Sequence, residues 1–338
     1  MSKILTCVIT SSVFLSLAAA ACANEHNAYG PELEGFAYPY KVLRFDFKSE
    51  RQTVSMAYMD VLPASSNGRT VVLLHGANFC AATWGETIDV LSRTGYRVIA
   101  PDQIGFCKSS KPEDYQFSLQ QLATNTYALL NSLGIARATI IGHSMGGMLA
   151  MRYALMFPGS VEQLVLVNPL GLEDWQAAGV PFASLDKTFE AEKWTTFDSI
   201  KQYQLKFYYA GEWKPEYDRW VEMLAGLYAG PGTTLVAWAR ARSSEMIFTQ
   251  PVVHELEHIS LPTLLLIGQK DRTAPGATRA SPEVASKLGN YPVLGRAAAA
   301  RIPNATLVEF PELGHAPQIQ APTQFHDALL KGLTAVRP

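Results

Sequence analysis

The sequence predicts an α/β fold: a doubly wound, mostly parallel eight-stranded sheet with a helical cap inserted after the sixth strand. Short, continuously apolar runs, typical of strands buried on both faces, alternate with segments whose apolar residues recur every three to four positions. The alternation stops between residues 170 and 261 and then resumes. Strands that alternate with helices in this way favour a parallel sheet covered by helices on both faces.

Residues 1–23 are predicted to be a signal peptide. Lys3 precedes an apolar run, which ends in the small residues Ala21-Cys22-Ala23 before the expected cleavage site. The run is rich in Ala and Ser and too short for a typical membrane span, so no stable span is expected after cleavage. We therefore expect export to the periplasm or the medium, with a lipoprotein anchored at Cys22 as the alternative.

Eight strands and four helices are predicted outside the cap, in a core of residues 24–169 and 262–338. The first two strands, 42–47 and 53–61, alternate as half-buried strands do. The other six are apolar runs at 70–74, 97–100, 138–141, 161–167, 263–267 and 305–310. Helical spacing marks residues 84–94, 119–133, 145–157 and 322–333.

The predicted cap, residues 170–261, holds five of the six tryptophans. We expect most of its aromatic side chains to pack the cap onto the core, and some, Trp175 among them, to line a pocket suited to an apolar acyl or aryl group. Arg240 and Arg242 are expected on a solvated helix face, although a substrate carboxylate is an alternative partner for them.

Ser144 is the candidate nucleophile. It is the serine of Gly142-His-Ser-Met-Gly146, a G-x-S-x-G pattern that follows a predicted buried strand and opens a predicted helix. In that context the serine lies on a sharp strand-to-helix turn, for which the glycines leave room. Its hydroxyl then faces the positive end of the helix dipole.

The oxyanion hole is assigned to the backbone amides of Met145 and Ala77. Acyl transfer builds negative charge on the substrate oxygen, so fixed N–H donors must face it. Met145 follows the nucleophile, and Ala77 follows the strand that ends in His75 and Gly76. Asn78, Phe79 and His143 are expected beside them in the substrate pocket, and His75 is expected to have a structural role.

His315 is the candidate base and Asp271 the acid that orients it. His315 follows a strand and a turn, and Asp271 follows the strand at 263–267, at the edge where such sheets place functional residues. His254 and His258 flank a glutamate at helical spacing, as zinc ligands do, but no third ligand follows them. We therefore expect neither a metal nor a cofactor.

These motifs together resemble the α/β-hydrolase superfamily. They are HGAN at 75–78, PDQIGFCKSS at 101–110, GHSMGG at 142–147, GQKDRTAP at 268–275 and GHAPQ at 314–318. Among its members the chain looks like the cap-bearing serine esterases, meta-cleavage C–C hydrolases and haloperoxidase-like enzymes. Epoxide hydrolases and haloalkane dehalogenases have an aspartate where this chain has Ser144.

Two segments depart from the pattern of this superfamily. Cys107 replaces a glycine of the D-x-x-G-x-G-x-S loop, and residues 276–301 form a longer link, which is expected to add a flap over the site. The resemblance places Cys80 and Cys107 on adjacent loops and so implies a disulfide between them. Two independent thiols are the alternative.

The resemblance implies a serine hydrolase that cleaves a carboxylic ester of an apolar or aromatic, mid-sized molecule through an acyl-enzyme on Ser144. A meta-cleavage C–C hydrolase, a lactonase and an aminopeptidase use the same triad and stay open, and a non-enzymatic binding protein is the least favoured alternative. The partner is a small molecule. The net charge of −2 argues against nucleic acid, and the oligomeric state is left undetermined.

Overall fold

Eight strands form one sheet in the computed structural model, which describes residues 27–335. The strands are β1 (Val42–Ser49), β2 (Gln52–Val61), β3 (Thr70–Leu74), β4 (Arg97–Pro101), β5 (Ala138–His143), β6 (Val161–Val167), β7 (Thr263–Gly268) and β8 (Ala305–Phe310). Their spatial order is β1-β2-β4-β3-β5-β6-β7-β8. β2 pairs antiparallel with β1 and β4, and all other neighbours are parallel. The predicted fold class is confirmed, whereas the predicted signal peptide lies outside the described residues.

The central strands divide their apolar side chains between two cores. In β3, Val72 and Leu74 belong to the core on one face, whereas Val71 and Leu73 belong to the core on the other. Successive side chains of a strand point to opposite faces, so a continuous apolar run fills both. This is why these strands show no alternation of polar and apolar residues.

Helices cover both faces of the sheet. The helices outside the cap are α1 (Gly85–Arg93), α2 (Leu119–Ser132), α3 (Met145–Met156), α8 (Pro282–Ala285), α9 (Tyr291–Arg301), α10 (Pro317–Gln320) and α11 (Pro322–Ala335). α1 and α11 contribute to the core on one face, and α2, α3 and α9 to the core on the other.

The inserted segment between β6 and β7 forms four helices. They are α4 (Leu185–Glu192), α5 (Phe197–Phe207), α6 (Asp218–Ala229) and α7 (Thr233–Thr249). α4 packs on α7, and α6 packs on both α5 and α7. The long link after Asp271 differs from the expected flap, because its helix α9 packs on β7 and β8. Within this link, only residues between 273 and 279 border the cavity described below.

An N-terminal arm, residues 27–41, connects the cap to the core. Tyr29 N donates to Gly226 O at 2.8 Å, on cap helix α6. A Cβ atom on Gly226 would lie 2.3 Å from the Tyr29 ring, so only glycine admits the arm at that position. At the other end, Tyr38 Oη donates to Asp102 Oδ2 at 2.6 Å. Within residues 27–335, no helix has the length and apolar character needed to cross a membrane.

Candidate active site

Ser144 occupies a strained turn between β5 and α3. Its φ of 57° lies in the left-handed region, which residues other than glycine seldom adopt. A Cβ on Gly142 would lie 2.1 Å from Gly146 O, and one on Gly146 would lie 2.2 Å from Leu74 O. Both glycines are therefore required for the close approach of strand, turn and helix. Strain of this kind persists only where the surrounding structure imposes it, and it is common at active sites.

The structure brings His315 and Asp271 together in the interior. His315 Nδ1 lies 2.6 Å from Asp271 Oδ2, and both side chains are fully buried. Asp271 also accepts hydrogen bonds from Asn168 Nδ2 at 2.8 Å and Thr273 N at 2.7 Å. Among the described residues, His315 Nε2 is buried without a hydrogen-bond partner. The acid therefore holds one ring nitrogen of the histidine and leaves the other available.

The backbone of His315 is fixed on both sides. Its N–H donates to Tyr208 O at 3.0 Å, and its carbonyl accepts from His143 Nε2 at 2.8 Å. Burial, with the nearby His315, holds the pKa of His143 well below its ordinary value. His143, the residue before Ser144, is thus a neutral donor that holds the backbone of the candidate base, His315.

The loop after β3 passes directly beside Ser144. A Cβ on Gly76 would lie 3.0 Å from the Ser144 Cβ. His75 Nε2 accepts from Gln103 N at 3.0 Å, so its Nδ1 carries the proton and donates to Gly76 O at 2.9 Å. Because the peptide is trans, fixing the Gly76 carbonyl also orients the Ala77 N–H on the opposite side. This arrangement is compatible with the oxyanion-hole assignment of Ala77 and with a structural role for His75.

The second assigned donor, Met145, opens α3. The first N–H groups of a helix have no acceptor within the helix, so they are available to a substrate oxygen. Ala77 and Ser144 line one cavity of about 370 Å³ beneath the cap. The geometry therefore places Ser144, the candidate nucleophile, next to the loop that bears Ala77 and at the start of the helix that bears Met145.

The substrate-pocket assignments need correction. Asn78 lines the cavity, but Phe79, His143 and Trp175 do not. Phe79 is buried behind the loop, with its ring 5.6 Å from each of the His143 and Tyr208 rings. Trp175 is 1% exposed, and its Nε1 donates to Glu173 Oε1 at 2.9 Å. These large side chains fill the interior around the site, so other residues form the cavity wall.

Arg240 does not lie on a solvated helix face as expected. It lines the cavity, donates through Nη1 to Ala77 O, and donates through Nη2 to Asn78 Oδ1 at 2.5 Å. Arg240, Ser244 and Ile247 all line the cavity from α7, at spacings of four and three residues. That helical stripe is the signal in the sequence that marks Arg240 as a cavity residue.

Arg242 points elsewhere. Its Nη1 donates to Tyr115 O at 2.7 Å, and its guanidinium lies 4.7 Å from the Trp238 ring centroid. It does not line the cavity that contains Ser144. Two arginines separated by one residue on α7 therefore have different surroundings, because the helix turns by about 200° between them.

Cys80 and Cys107 lie on adjacent loops behind the site. Their Cα atoms are 5.8 Å apart, a separation typical of disulfides, and the disulfide itself stays a prediction. Within the described part of the chain, the one group of three possible metal ligands consists of these cysteines and Asp102. The histidines of the HELEH segment have other surroundings: His254 contacts Asp174, and Glu255 pairs with Arg152.

Comparisons with known proteins agree with this architecture. The family described as "alpha/beta hydrolase fold" matches residues 69–322. A solved structure of a probable hydrolytic enzyme from Pseudomonas aeruginosa PAO1 is 62% identical, with a TM-score of 0.91, and the match covers 91% of this chain and 99% of that one. "Lipase 3" from Moraxella sp. (strain TA144) is 25% identical over 92% of both chains.

A further relative matches over a shorter region. The "2-hydroxy-6-oxononadienedioate/2-hydroxy-6-oxononatrienedioate hydrolase" of Comamonas testosteroni is 32% identical over 142 residues, which are 41% of this chain and 49% of that protein. The family match spans most of the chain and includes Ser144, Asp271 and His315. The chain therefore belongs to the α/β-hydrolase family and is a hydrolase.

Proposed function

We propose that the chain is a serine esterase in which Ser144, His315 and Asp271 form the catalytic triad. The observation that carries this proposal is the buried 2.6 Å contact between His315 Nδ1 and Asp271 Oδ2, which leaves His315 Nε2 without a partner among the described residues. A serine hydroxyl needs an available nitrogen of this kind as its base. The strained turn at Ser144 and the adjacent Ala77 loop add further support.

In the first half of the reaction, His315 Nε2 takes the proton of Ser144 Oγ while the oxygen attacks the ester carbonyl carbon. The amides of Ala77 and Met145 stabilise the negative charge that develops on the carbonyl oxygen. When the tetrahedral intermediate collapses, the C–O bond to the alcohol breaks and His315 protonates the leaving oxygen. Asp271 remains ionised throughout and stabilises the imidazolium.

In the second half, water replaces the alcohol. His315 removes a proton from the water as it attacks the acyl carbon, and the acyl-enzyme bond to Ser144 then breaks. The serine oxygen regains its proton from His315, and the carboxylic acid leaves. All proton transfers use side chains of this protein.

The cavity supports a mid-sized substrate. Its volume is about 370 Å³, and its apolar wall contains Leu170, Ile200, Leu224, Ile247 and Phe248. This size and lining suit an apolar or aromatic acyl group. The full-length match to a protein named a lipase also favours an ester.

Cleavage of a carbon–carbon bond is the second candidate function. It is favoured by the partial match to the Comamonas testosteroni hydrolase, whose name specifies a dienedioate. The loss of dienol absorbance, measured beside the hydrolysis of a simple aryl ester, separates the two activities. Rapid turnover of the dienol-dioate with none of the ester would assign the chain to this second function.

Export of the mature enzyme is part of the proposal. Residues 1–23 carry the sequence features of a cleaved signal peptide. The intact mass of the protein recovered from the periplasm or medium should correspond to a chain that begins at Asn24. A diacylglycerol-modified Cys22 at the N-terminus would instead indicate a lipoprotein.

The nucleophile is tested by labelling with a fluorophosphonate probe and by turnover of aryl esters of increasing acyl length. Ser144→Ala should abolish labelling and lower kcat by about 10⁴–10⁶-fold. Ser244→Ala is a matched control, because Ser244 lines the same cavity from α7 and has no role in the proposed chemistry. Unchanged turnover in a folded Ser144→Ala protein would reject the mechanism.

A further inference from the structure

Three charged side chains line the cavity: Glu192, Arg240 and Arg279. Burial opposes the charge of Arg240, yet Tyr228 and Glu192 raise its pKa above the ordinary value. Tyr228 Oη also donates to Glu192 Oε2. Glu192 and Arg240 therefore offset one another within a hydrogen-bonded group, and the cavity wall keeps one positive charge, that of Arg279.

Arg279 is exposed at the cavity and has no acidic partner among residues 27–335. Its Nε donates to Pro181 O at 3.0 Å, and its guanidinium carbon lies 5.1 Å from the Phe248 ring centroid. A Cβ on Gly276 would lie 2.5 Å from Arg279 Nη2, so the guanidinium lies directly against the backbone there. No carboxylate among residues 27–335 forms an ion pair with it.

The surroundings of Arg279 leave its two terminal nitrogens for a ligand. The Nε atom is committed to the cap, and the ring of Phe248 lies close to the guanidinium. In the described part of the chain, neither terminal nitrogen has a hydrogen-bond partner. Two parallel N–H donors of one guanidinium match the two oxygens of a carboxylate.

Asp271 does not supply the missing negative charge. It is fully buried and does not line the cavity. Its oxygens accept hydrogen bonds from His315, Asn168 and Thr273. Among the described residues, Glu192 is the carboxylate that lines the cavity, and Arg240 offsets its charge, so an anion that enters meets the uncompensated charge of Arg279.

We infer that Arg279 binds a carboxylate of the substrate, so that the preferred esters carry a free carboxylate on the acyl group, remote from the scissile bond. The inference rests on the proposed esterase function and specifies its substrate class. The acyl carbonyl lies at Ser144, the chain of the acyl group follows the apolar wall, and its carboxylate pairs with Arg279. A merely structural Arg279 would tether the link to the cap and would not distinguish charged from neutral esters.

The test compares p-nitrophenyl half-esters of linear dicarboxylic acids with neutral p-nitrophenyl alkanoates of the same chain lengths. For at least one length, the wild-type kcat/KM should favour the anionic ester by about two- to fivefold, the effect of one ion pair with an exposed arginine. Arg279→Gln should remove that preference by raising KM for the anion, while the neutral ester is hydrolysed as before. Lys187→Gln removes one positive charge from α4 outside the cavity wall and should keep the preference.

The inference would be overturned if the wild type hydrolysed the anionic and neutral esters with equal kcat/KM at every chain length. It would also be overturned if Arg279→Gln lowered kcat/KM equally for both series. If neither series is hydrolysed, the esterase proposal fails, and binding then decides the inference separately. Calorimetric titration of monomethyl adipate into Ser144→Ala, with and without Arg279→Gln, measures the anion site without turnover. A dissociation constant that Arg279→Gln leaves unchanged would then reject it.

Discussion

Replacement of Arg240 by methionine should slow catalysis while leaving binding of a neutral ester almost unchanged. Arg240 contacts the loop that bears Ala77 at two points, the Ala77 carbonyl and Asn78 Oδ1. Methionine keeps much of the side-chain volume but removes both hydrogen bonds. The loop then keeps the Gly76 anchor from His75 and the bond from Asn78 Nδ2 to Tyr208 Oη at 2.9 Å.

The size of the effect follows from these contacts. Each hydrogen bond to a charged group contributes about 1.5–3 kcal/mol, so the variant loses at least about 3 kcal/mol of interaction that holds the loop. The loss of one oxyanion donor sets the upper limit, about 10²–10³-fold in kcat. We therefore expect kcat to fall about a hundredfold, near the lower end of that range, because the remaining anchors keep the loop partly ordered.

Steady-state hydrolysis of p-nitrophenyl hexanoate is the assay. KM should change little, because Arg240 donates its hydrogen bonds to the protein. Arg242→Met is the control, since it removes an arginine from the same helix whose side chain contacts Tyr115 and Trp238. In Arg240→Met, the Glu192 carboxylate loses its arginine partner. The double variant Arg240→Met/Glu192→Gln also removes that carboxylate, so it should regain stability but not kcat.

A kcat of Arg240→Met within twofold of wild type, in a protein with unchanged thermal unfolding, would refute this reasoning. An equal fall in Arg242→Met would also refute it, because the effect would then come from the helix. A recovery of kcat in the double variant would mean that the unpaired Glu192, and not the loop, caused the loss.

Three further predictions concern the hydrogen bond to Asp271, the disulfide and the pH dependence of stability. Asn168→Ala should lower kcat about tenfold in steady-state kinetics, because Asp271, the proposed acid of the triad, loses a charged hydrogen bond. Peptide mass spectrometry without reductant should recover Cys80 joined to Cys107, and Cys80→Ser should lower the free energy of unfolding in urea by about 3–4 kcal/mol; free thiols at both positions would contradict this. Burial lowers the pKa of His326 to about 4, below the ordinary value of the unfolded chain. The unfolded state therefore binds the proton first, and stability falls by up to about 3 kcal/mol as pH drops from 6.5 to 4. His326→Gln should lose that part of the pH dependence in thermal unfolding, and the exposed His254→Gln should keep it.

The parts of the fold that were predictable depend on local patterns. The run at 70–74 is apolar at consecutive positions because β3 contributes to both cores, and that requirement is visible in five residues. The turn at Ser144 was equally predictable. Gly142 and Gly146 are required by close contacts within the turn and with Leu74 at the end of β3, and both belong to one five-residue motif. Steric requirements of this local kind can therefore be recognised in a single sequence.

The cavity wall was less predictable because it depends on how distant helices pack. Phe79 lies two residues after Ala77, and Trp175 lies eight residues after the end of β6, but both side chains turn into the interior, where large aromatic rings are favoured. For Arg240 the sequence predicts a solvated helix face, with a substrate carboxylate as the alternative partner. Its hydrogen bonds to the Ala77 loop join residues more than 160 positions apart, and no local pattern specifies such a pair.

The N-terminal arm restricts how substrates reach the cavity. Because it is bonded to Gly226 of α6 and to Asp102 of the core, it ties that side of the cap down. A hinge motion that lifted α6 would have to break the hydrogen bond from Tyr29 N to Gly226 O and expose the Tyr29 ring packed against Gly226. At the α4 end of the cap, Arg279 Nε donates to Pro181 O, four residues before α4 begins, and the N-terminal arm forms no hydrogen bond with α4 among the described residues. We expect substrates to enter at the α4 end of the cap, near Arg279, because opening there does not require the arm to move.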